Sequence, residues 1–530
     1  MRPLIPNQDS RAGGLDNFPA RQLRERLTMR TINGSMKVST LAFGIVAALA
    51  CGQAMASGFQ IREDSVQAMA RSHAGSASDW GDAAVVTNNP AAMSLFDTTT
   101  IQSDLTAIDL SGTFSGGGHD AIGRPLTGGN GGNAGDIAPV PAFDLIYPVG
   151  NGFTLGASFS APFGLKTQYD PNWVGRYQAL KSDVRTFDFT LAASYKFNDM
   201  FSAGLSLITQ RFQAQLTNAV DFGAIIDSLN PAAFPAFMPQ SADGTADIKG
   251  HDTSIGWDLG LLFRPTPNTN IGLNYRAKID HTLNGHATFG VPTSVQFASG
   301  GLIGGTVFTN GPISATVATP SVLTFSVSQK FSDTFTLSAD IERTGWNSLQ
   351  GLTVKFANPA QPPSSELFKW NSTMEYALGM DWKFAPEWTL RAGIAHDETP
   401  TNNTYRDPRL PDNNRTLYSL GLGWTPNDNV SWNIGYSHIA IDTPTVNDIS
   451  ATGSTLVGKY SANANLFGVS GTFSFGHAPP APVVEAPPPP PAPAPAPPAC
   501  PEGQTLGADG SCQSPPPAPA PEPPPKPFRG

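Results

Sequence analysis

Charge is scarce in this chain: Asp, Glu, Lys and Arg supply 14% of its 530 residues, 42 acidic against 32 basic. With 53 glycines and 49 prolines as well, the composition excludes an ordinary helical cytosolic enzyme. A formal charge of −10 leaves no basic face for a phosphate backbone, and no basic run interleaved with aromatics occurs, so nucleic acid is not an expected partner. Long apolar runs are missing too. Beyond residue 56 no stretch reaches about 18 apolar residues, which excludes a transmembrane helix. H-E-x-x-H, C-x-x-C and Walker patterns are absent, so neither metal nor cofactor is expected. There are only three cysteines.

What is present begins with a leader. Residues 38–50 read V-S-T-L-A-F-G-I-V-A-A-L-A, with Lys37 before them and Ala54-Met55-Ala56 after. That run is too short for a bilayer-spanning helix, which needs about 20 residues, and fits a secretory signal peptide cut between Ala56 and Ser57. Met29 or Met36 would start a signal of ordinary length, so the residues before them read as an over-extended start. Leu49-Ala50-Cys51-Gly52 resembles a lipoprotein box, but Ala48 stands where a branched aliphatic is usual. Cys51 leaves with the leader; Cys500 and Cys512 remain as an even pair in an exported chain and read as a small disulfide loop.

From about residue 100 to 476 the dominant period is two. Phe187, Phe189, Leu191, Ala193, Tyr195 and Phe197 alternate with Asp188, Thr190, Ala192, Ser194 and Lys196; Val430, Trp432, Ile434 and Tyr436 alternate with Ser431, Asn433, Gly435 and Ser437. Alternation alone fits a soluble sandwich or a membrane barrel whose greasy face is outside. Length separates them: many segments run ten residues or more, enough for a tilted span, where sandwich strands average five or six. In hydrocarbon only a closed barrel satisfies every strand's backbone. The fold class is therefore all-β, a transmembrane antiparallel barrel of about 14 strands, in the outer membrane of a Gram-negative bacterium. Short turns such as Asn198-Asp199 and Pro426-Asn427-Asp428 alternate with long polar loops, as periplasmic turns and extracellular loops do.

Four regions follow: a leader over 1–56, a segment over 57–99 that cannot span, the barrel over 100–477, and a tail over 478–530. A barrel of this size is too wide for its own side chains to fill, so 57–99 reads as a plug in the lumen. Of the chain's 49 prolines, 22 fall in the tail, an extended spacer that could reach a periplasmic partner. Barrel assembly machinery would read the last strand at Phe475, although outer-membrane proteins usually end the chain with that aromatic.

The segment Ser57-Gly58-Phe59-Gln60, with Arg71, Gly75, Asp82-Ala83 and Asn88-Asn89-Pro90-Ala91, resembles the plug of the FadL family of hydrophobic-substrate transporters. Pro162-Phe163-Gly164-Leu165, residues 391–400 (R-A-G-I-A-H-D-E-T-P) and Arg406 with Leu410-Pro411-Asp412 and Arg415 extend the resemblance across roughly 57–476. It implies a fourteen-stranded barrel with an internal hatch and passive uptake of long-chain fatty acids or related compounds. Substrate would bind an internal pocket and leave sideways, through a wall opening made by an inward-kinked third strand, into outer-membrane lipid beside the lipopolysaccharide leaflet.

By the same resemblance Phe59 would touch the ligand, with plug packing the plainer role; Asn89, Pro90 and Ala91 would form the hatch beside the opening; and Pro162 and Gly164 would kink the third strand, though loop onset explains both. Arg211 and Lys355 lie near the family's basic ligand positions, and either would equally serve as a rim charge. Arg391 reads as a lumenal partner of Asp397. The competing readings are an aromatic-hydrocarbon channel of the same family, a general porin, and a lipid-acting enzyme. The last lacks a serine signature near any of the eight histidines, so an enzyme is not expected.

Overall fold

The computed structural model describes residues 58–229, 236–476 and 499–522. The leader and its cleavage point at Ala56 and Ser57 lie outside these residues.

Period-two alternation becomes fourteen antiparallel strands. The first four are Thr99–His119, Ile137–Gly150, a third in two halves (Phe153–Ser160 and Gly164–Gln168), and Lys181–Lys196. The fifth and sixth, Phe201–Asp221 and Asp243–Thr266, are among the longest, and the last is Thr455–Phe475. It pairs with the first from Thr99↔Phe475 to His119↔Thr455, closing the barrel and removing any sheet edge at the seam. Turns of two to four residues at one end alternate with long loops at the other, as their sequences imply.

Outside, large apolar side chains are left bare: Leu205, Leu207, Leu420, Ile434, Phe467 and Val469 are each more than half exposed. In lipid this face needs no cover. Aromatics collect at the short-turn end, among them Phe197, Phe201, Trp388, Trp424 and Phe475, as an interfacial girdle does. Inside, Gln102, Asp104, Asp188, Ser206, Asn270 and Ser326 are buried.

They are buried because residues 58–98 fill the lower lumen. Val66 N–H donates to Asp104 at 2.8 Å, Gly75 N–H to Asp340 at 2.7 Å, and the Asn89 amide to the Leu261 carbonyl at 3.0 Å. Inward glycines make the room. A Cβ at Gly260 would stand 2.1 Å from Asn89 Oδ1, and one at Gly393 would stand 2.1 Å from the Arg71 carbonyl carbon. Charges finish the fit: Arg62 pairs with Glu342 (3.2 Å) and Glu375, and Arg71 with Asp381 (2.9 Å) and Asp79. Arg391 pairs with Asp381 at 2.6 Å, not with Asp397, which takes Arg415 instead. The physical reason is simple: six residues along one strand span about 20 Å.

The second strand starts at Ile137, four residues before the alternation suggests, because Pro139 and Pro141 mask its beginning. The tail is a second unit, of which residues 499–522 are described. In it Cys500 and Cys512 are bonded at 2.06 Å across the two-residue strands Thr505–Leu506 and Cys512–Gln513.

Candidate functional site

Two features interrupt the polar, plug-filled interior: a break in the wall and an apolar pocket above the plug. The break lies in the third strand. Its first half pairs with the second strand only as far as Phe143↔Phe159, and with the fourth as far as Ser160↔Asp188. Pairing with the fourth resumes at Gly164↔Arg185, so three residues (161–163) face two (186–187), a bulge that bends the strand. Beyond the bend the second strand has lost its neighbour: residues 137–142 keep only the first strand.

The bent half bonds inward instead. Gly164 N–H donates to the Phe59 carbonyl at 2.8 Å, and Ile61 N–H to the Pro162 carbonyl at 2.7 Å. Gly164 packs closely on the plug, since a Cβ would meet Ile61 Cδ1 at 2.7 Å and the Ile61 side chain would have to turn aside. Pro162 and Gly164 thus occupy the bend itself. Strand arithmetic places the gap: Ala142 and Ile137 are opposite Asp104 and Asp109, five and ten residues up from the Thr99↔Phe475 pair. At a rise of about 3.3 Å and a tilt of about 40°, they stand roughly 13 and 25 Å above that girdle, the upper half of a band about 25 Å tall.

The pocket is lined by Leu165, Val184, Phe212, Ala214, Leu216, Leu283, Val317, Leu352 and Trp370. It leaves a cavity of about 100 Å³. Phe59 closes its floor in an aromatic cluster, its ring 4.8 Å from Trp346, 5.9 Å from Trp370 and 6.0 Å from Phe163. Gly58, at φ +67°, donates its N–H to Asp412 at 3.1 Å and pins the segment. Phe59 therefore belongs both to the pocket and, through its carbonyl, to the bent strand.

At the other end a loop (residues 398–414) contributes Thr401, Tyr405, Asp407 and Arg409. Arg409 is the cation of the pocket. Its Nη atoms reach four long partners, the Thr217 carbonyl at 3.2 Å and the Lys181 carbonyl, Ser182 Oγ and Asn218 Oδ1 at 3.4 Å, and Asp407 lies 3.7 Å from its Nε. Burial, and then Glu366 nearby, pushes the Asp407 carboxyl well up, which weakens its claim on the guanidinium. Glu366, Asp407 and Asp448 bring carboxylate oxygens within 4.8 Å of one another.

The two basic residues expected from sequence are not in this pocket. Arg211 follows the outward parity of Leu205 and Leu207, donates to Thr253 at 3.1 Å, and stands ten residues above Phe201 at the outer rim of the apolar band. Lys355 is exposed, on the opposite parity from Leu352 and the buried Val354. In each case an odd offset reverses the face: Phe212, one position on from Arg211, and Leu352, three positions before Lys355, line the pocket in their place. Asn89-Pro90-Ala91 is also elsewhere, capping the short helix Pro90–Leu95 against Gly204 and Gly260 at the short-turn end, and the break is bordered by 59–61 instead. The sequence carries one signal for Arg409: it lies inside the block from Arg406 to Arg415 that bears the family resemblance, in a loop where alternation assigns no face.

A family model described as outer membrane protein transport protein (OMPP1/FadL/TodX) matches residues 47–475. The chain belongs to this family. Among relatives of the FadL family, it is 26% identical to a long-chain fatty acid transport protein of Escherichia coli O6:H1, covering 75% of this chain and 90% of that one. It is likewise 26% identical to outer membrane protein P1 of Haemophilus influenzae, over 81% and 97%. A solved Pseudomonas aeruginosa FadL homologue superposes with a TM-score of 0.73 at 28% identity, covering 79% of this chain and all of that one. The Pseudomonas putida toluene transporter TodX, at 17% identity and a TM-score of 0.57 over 78% and 98%, shares the fold. The chain is thus an outer-membrane barrel of a transport family, with its short turns periplasmic.

Proposed function

We propose that this protein carries long-chain fatty acids passively across the outer membrane, from the upper pocket, past Phe59, to the gap in the third strand. The observation that carries this reading is the pairing of an apolar pocket with one half-buried cation, Arg409, at its outer end, whose hydrogen bonds are all 3.2–3.4 Å long and whose carboxylate neighbour Asp407 stands 3.7 Å away. A carboxylate entering such a site unpaired would cost several kcal/mol, and Arg409 offers it a charge-assisted partner. An alkyl chain lies against Phe212, Leu283 and Val317 and ends on Phe59. Displacing Phe59 releases its aromatic cluster and the bent strand together, so arrival at the floor and access to the gap are one event. The exit returns the chain to hydrocarbon without an aqueous step.

The small cavity, about 100 Å³, favours a second reading, uptake of monoaromatic hydrocarbons, because it is closer to the space of about 150 Å³ that holds benzene than to the volume of a long acyl chain. Labelled oleate and toluene uptake in Gram-negative cells lacking their own transporter distinguishes them. Oleate uptake that falls at least tenfold in Arg409→Met, with toluene unaffected, supports the fatty-acid reading. Toluene uptake alone replaces it, and uptake of neither by an inserted barrel defeats both.

A further inference from the structure

We propose that Pro139 and Pro141 are positioning residues that hold the wall open, by stripping the free edge of the second strand of every donor it could offer the bent third strand. The proposal rests on the lateral-exit reading above for its importance to transport, though not for its geometry.

The geometry follows from ladder parity. Ala134 N–H donates to the Gly112 carbonyl at 2.9 Å and Leu110 N–H to the Asp136 carbonyl at 3.3 Å. The register continues unbroken from Asp109↔Ile137 to Thr100↔Ile146. In an antiparallel pair, hydrogen-bonded and non-bonded pairs alternate. Even-numbered residues of the second strand therefore point N–H and C=O at the first strand, and odd-numbered ones point them away. Along the gap the odd-numbered residues are 137, 139 and 141; the next, Phe143, already pairs with Phe159. Ile137 N–H is taken by the Asp136 side chain at 2.8 Å. Pro139 and Pro141 have no N–H at all. This edge, bare of a partner over half the hydrocarbon band, carries acceptors and no free donor.

The opposite edge, among the described residues, keeps one donor toward the gap, Lys166 N–H. Thr186 N–H donates to the Phe163 carbonyl at 2.9 Å, which sets odd-numbered residues of the bent half toward the fourth strand and even-numbered ones toward the gap. Of these, Gly164 N–H is held by Phe59 and Gln168 N–H donates to the Ala134 carbonyl at 3.0 Å.

An unpaired N–H facing lipid is costly, whereas an under-satisfied carbonyl is tolerated more often. With ordinary residues at 139 and 141, two bare donors would favour zipping the strands together, and the ladder formed would reward it. Prolines remove both the penalty for staying open and the reward for closing. Elsewhere proline on an edge strand prevents pairing with another chain; here it prevents pairing within one barrel. The bulge at 161–163 bends the third strand away, and the prolines keep it from returning.

The test uses the full-length chain in outer-membrane vesicles, with Pro139→Val/Pro141→Val, each single variant, and Pro148→Val as a control whose nitrogen lies on the other edge. Amide exchange at Lys166, the donor of the bent half that faces the gap, read by mass spectrometry within the peptide covering 164–168, reports closure; oleate and toluene uptake reports transport. The expected result is exchange slowed at least tenfold in the double variant, less in the singles, with uptake falling at least fivefold and no change in the control. Unchanged exchange in the double variant and both singles overturns the proposal. If wild-type protein imports neither compound, the transport reading fails while exchange still decides whether the prolines hold the edge apart. Slowed exchange with undiminished uptake overturns their role in exit.

Discussion

The lower and upper halves of the lumen are built from the same strands and differ in what they turn inward. Along the fifth strand the inward residues run Ser202, Gly204, Ser206, Ile208 and Gln210, then Phe212, Ala214 and Leu216. Along the second they pass from Asp144 to Val140 and Ala138. Below, small and polar groups receive a plug through hydrogen bonds and paired charges; above, apolar groups leave a space. One β-barrel thus holds a polar socket and an apolar pocket on a single face, and Phe59 sits at their boundary.

The contrast breaks most visibly if the socket loses a charge. Arg62→Met leaves Glu342 and Glu375 facing each other in a buried site, a loss of about 3–5 kcal/mol that thermal unfolding in detergent should register as a clearly lowered Tm. A smaller effect is expected from Gly260→Ala, whose Cβ meets Asn89 Oδ1 at 2.1 Å; overpacking of this kind costs about 1–3 kcal/mol, and the displaced plug should raise single-channel conductance in planar bilayers.

In the plug, burial pushes Asp64 up to about 6. Its folded pKa is raised, so the stability it contributes is complete below the ordinary carboxylate range near 4 and is lost as pH rises through 6. Tm should therefore decline between pH 4 and 7, and Asp64→Asn should flatten that decline. Smallest of all, Arg211→Gln should leave fatty-acid affinity unchanged and stability within about 0.5 kcal/mol, because its side chain lies outside. A loss of affinity there would erase the distinction between inner and outer faces.

How much of this could be read in advance follows the same division. The outer face was legible, since Phe187 to Phe197 and Val430 to Tyr436 alternate cleanly against small or polar partners, and fourteen segments emerged. The socket was legible in part: Gly421 and Gly435 register as polar-face residues, but only contact with Ala70 and Met69 explains why they are glycine. The pocket was not legible, because apolar residues on the inward parity, such as Phe212 and Leu216, blur the alternation where it matters. A slip of one position moved the expected cation from the lumen to the outer rim. Arg409 lies in a loop, where no periodicity reports direction. Prolines at 139 and 141 likewise hid the start of the second strand, though they mark the edge most relevant to the wall opening.

The most direct test of the pocket is a crystal structure with a fatty acid brominated near its methyl end. Bromine density is expected among Phe212, Leu283 and Val317 or against Phe59, with the carboxylate at Arg409. Bromine confined to the outer surface, or a carboxylate held at Arg211 or Lys355, would contradict it.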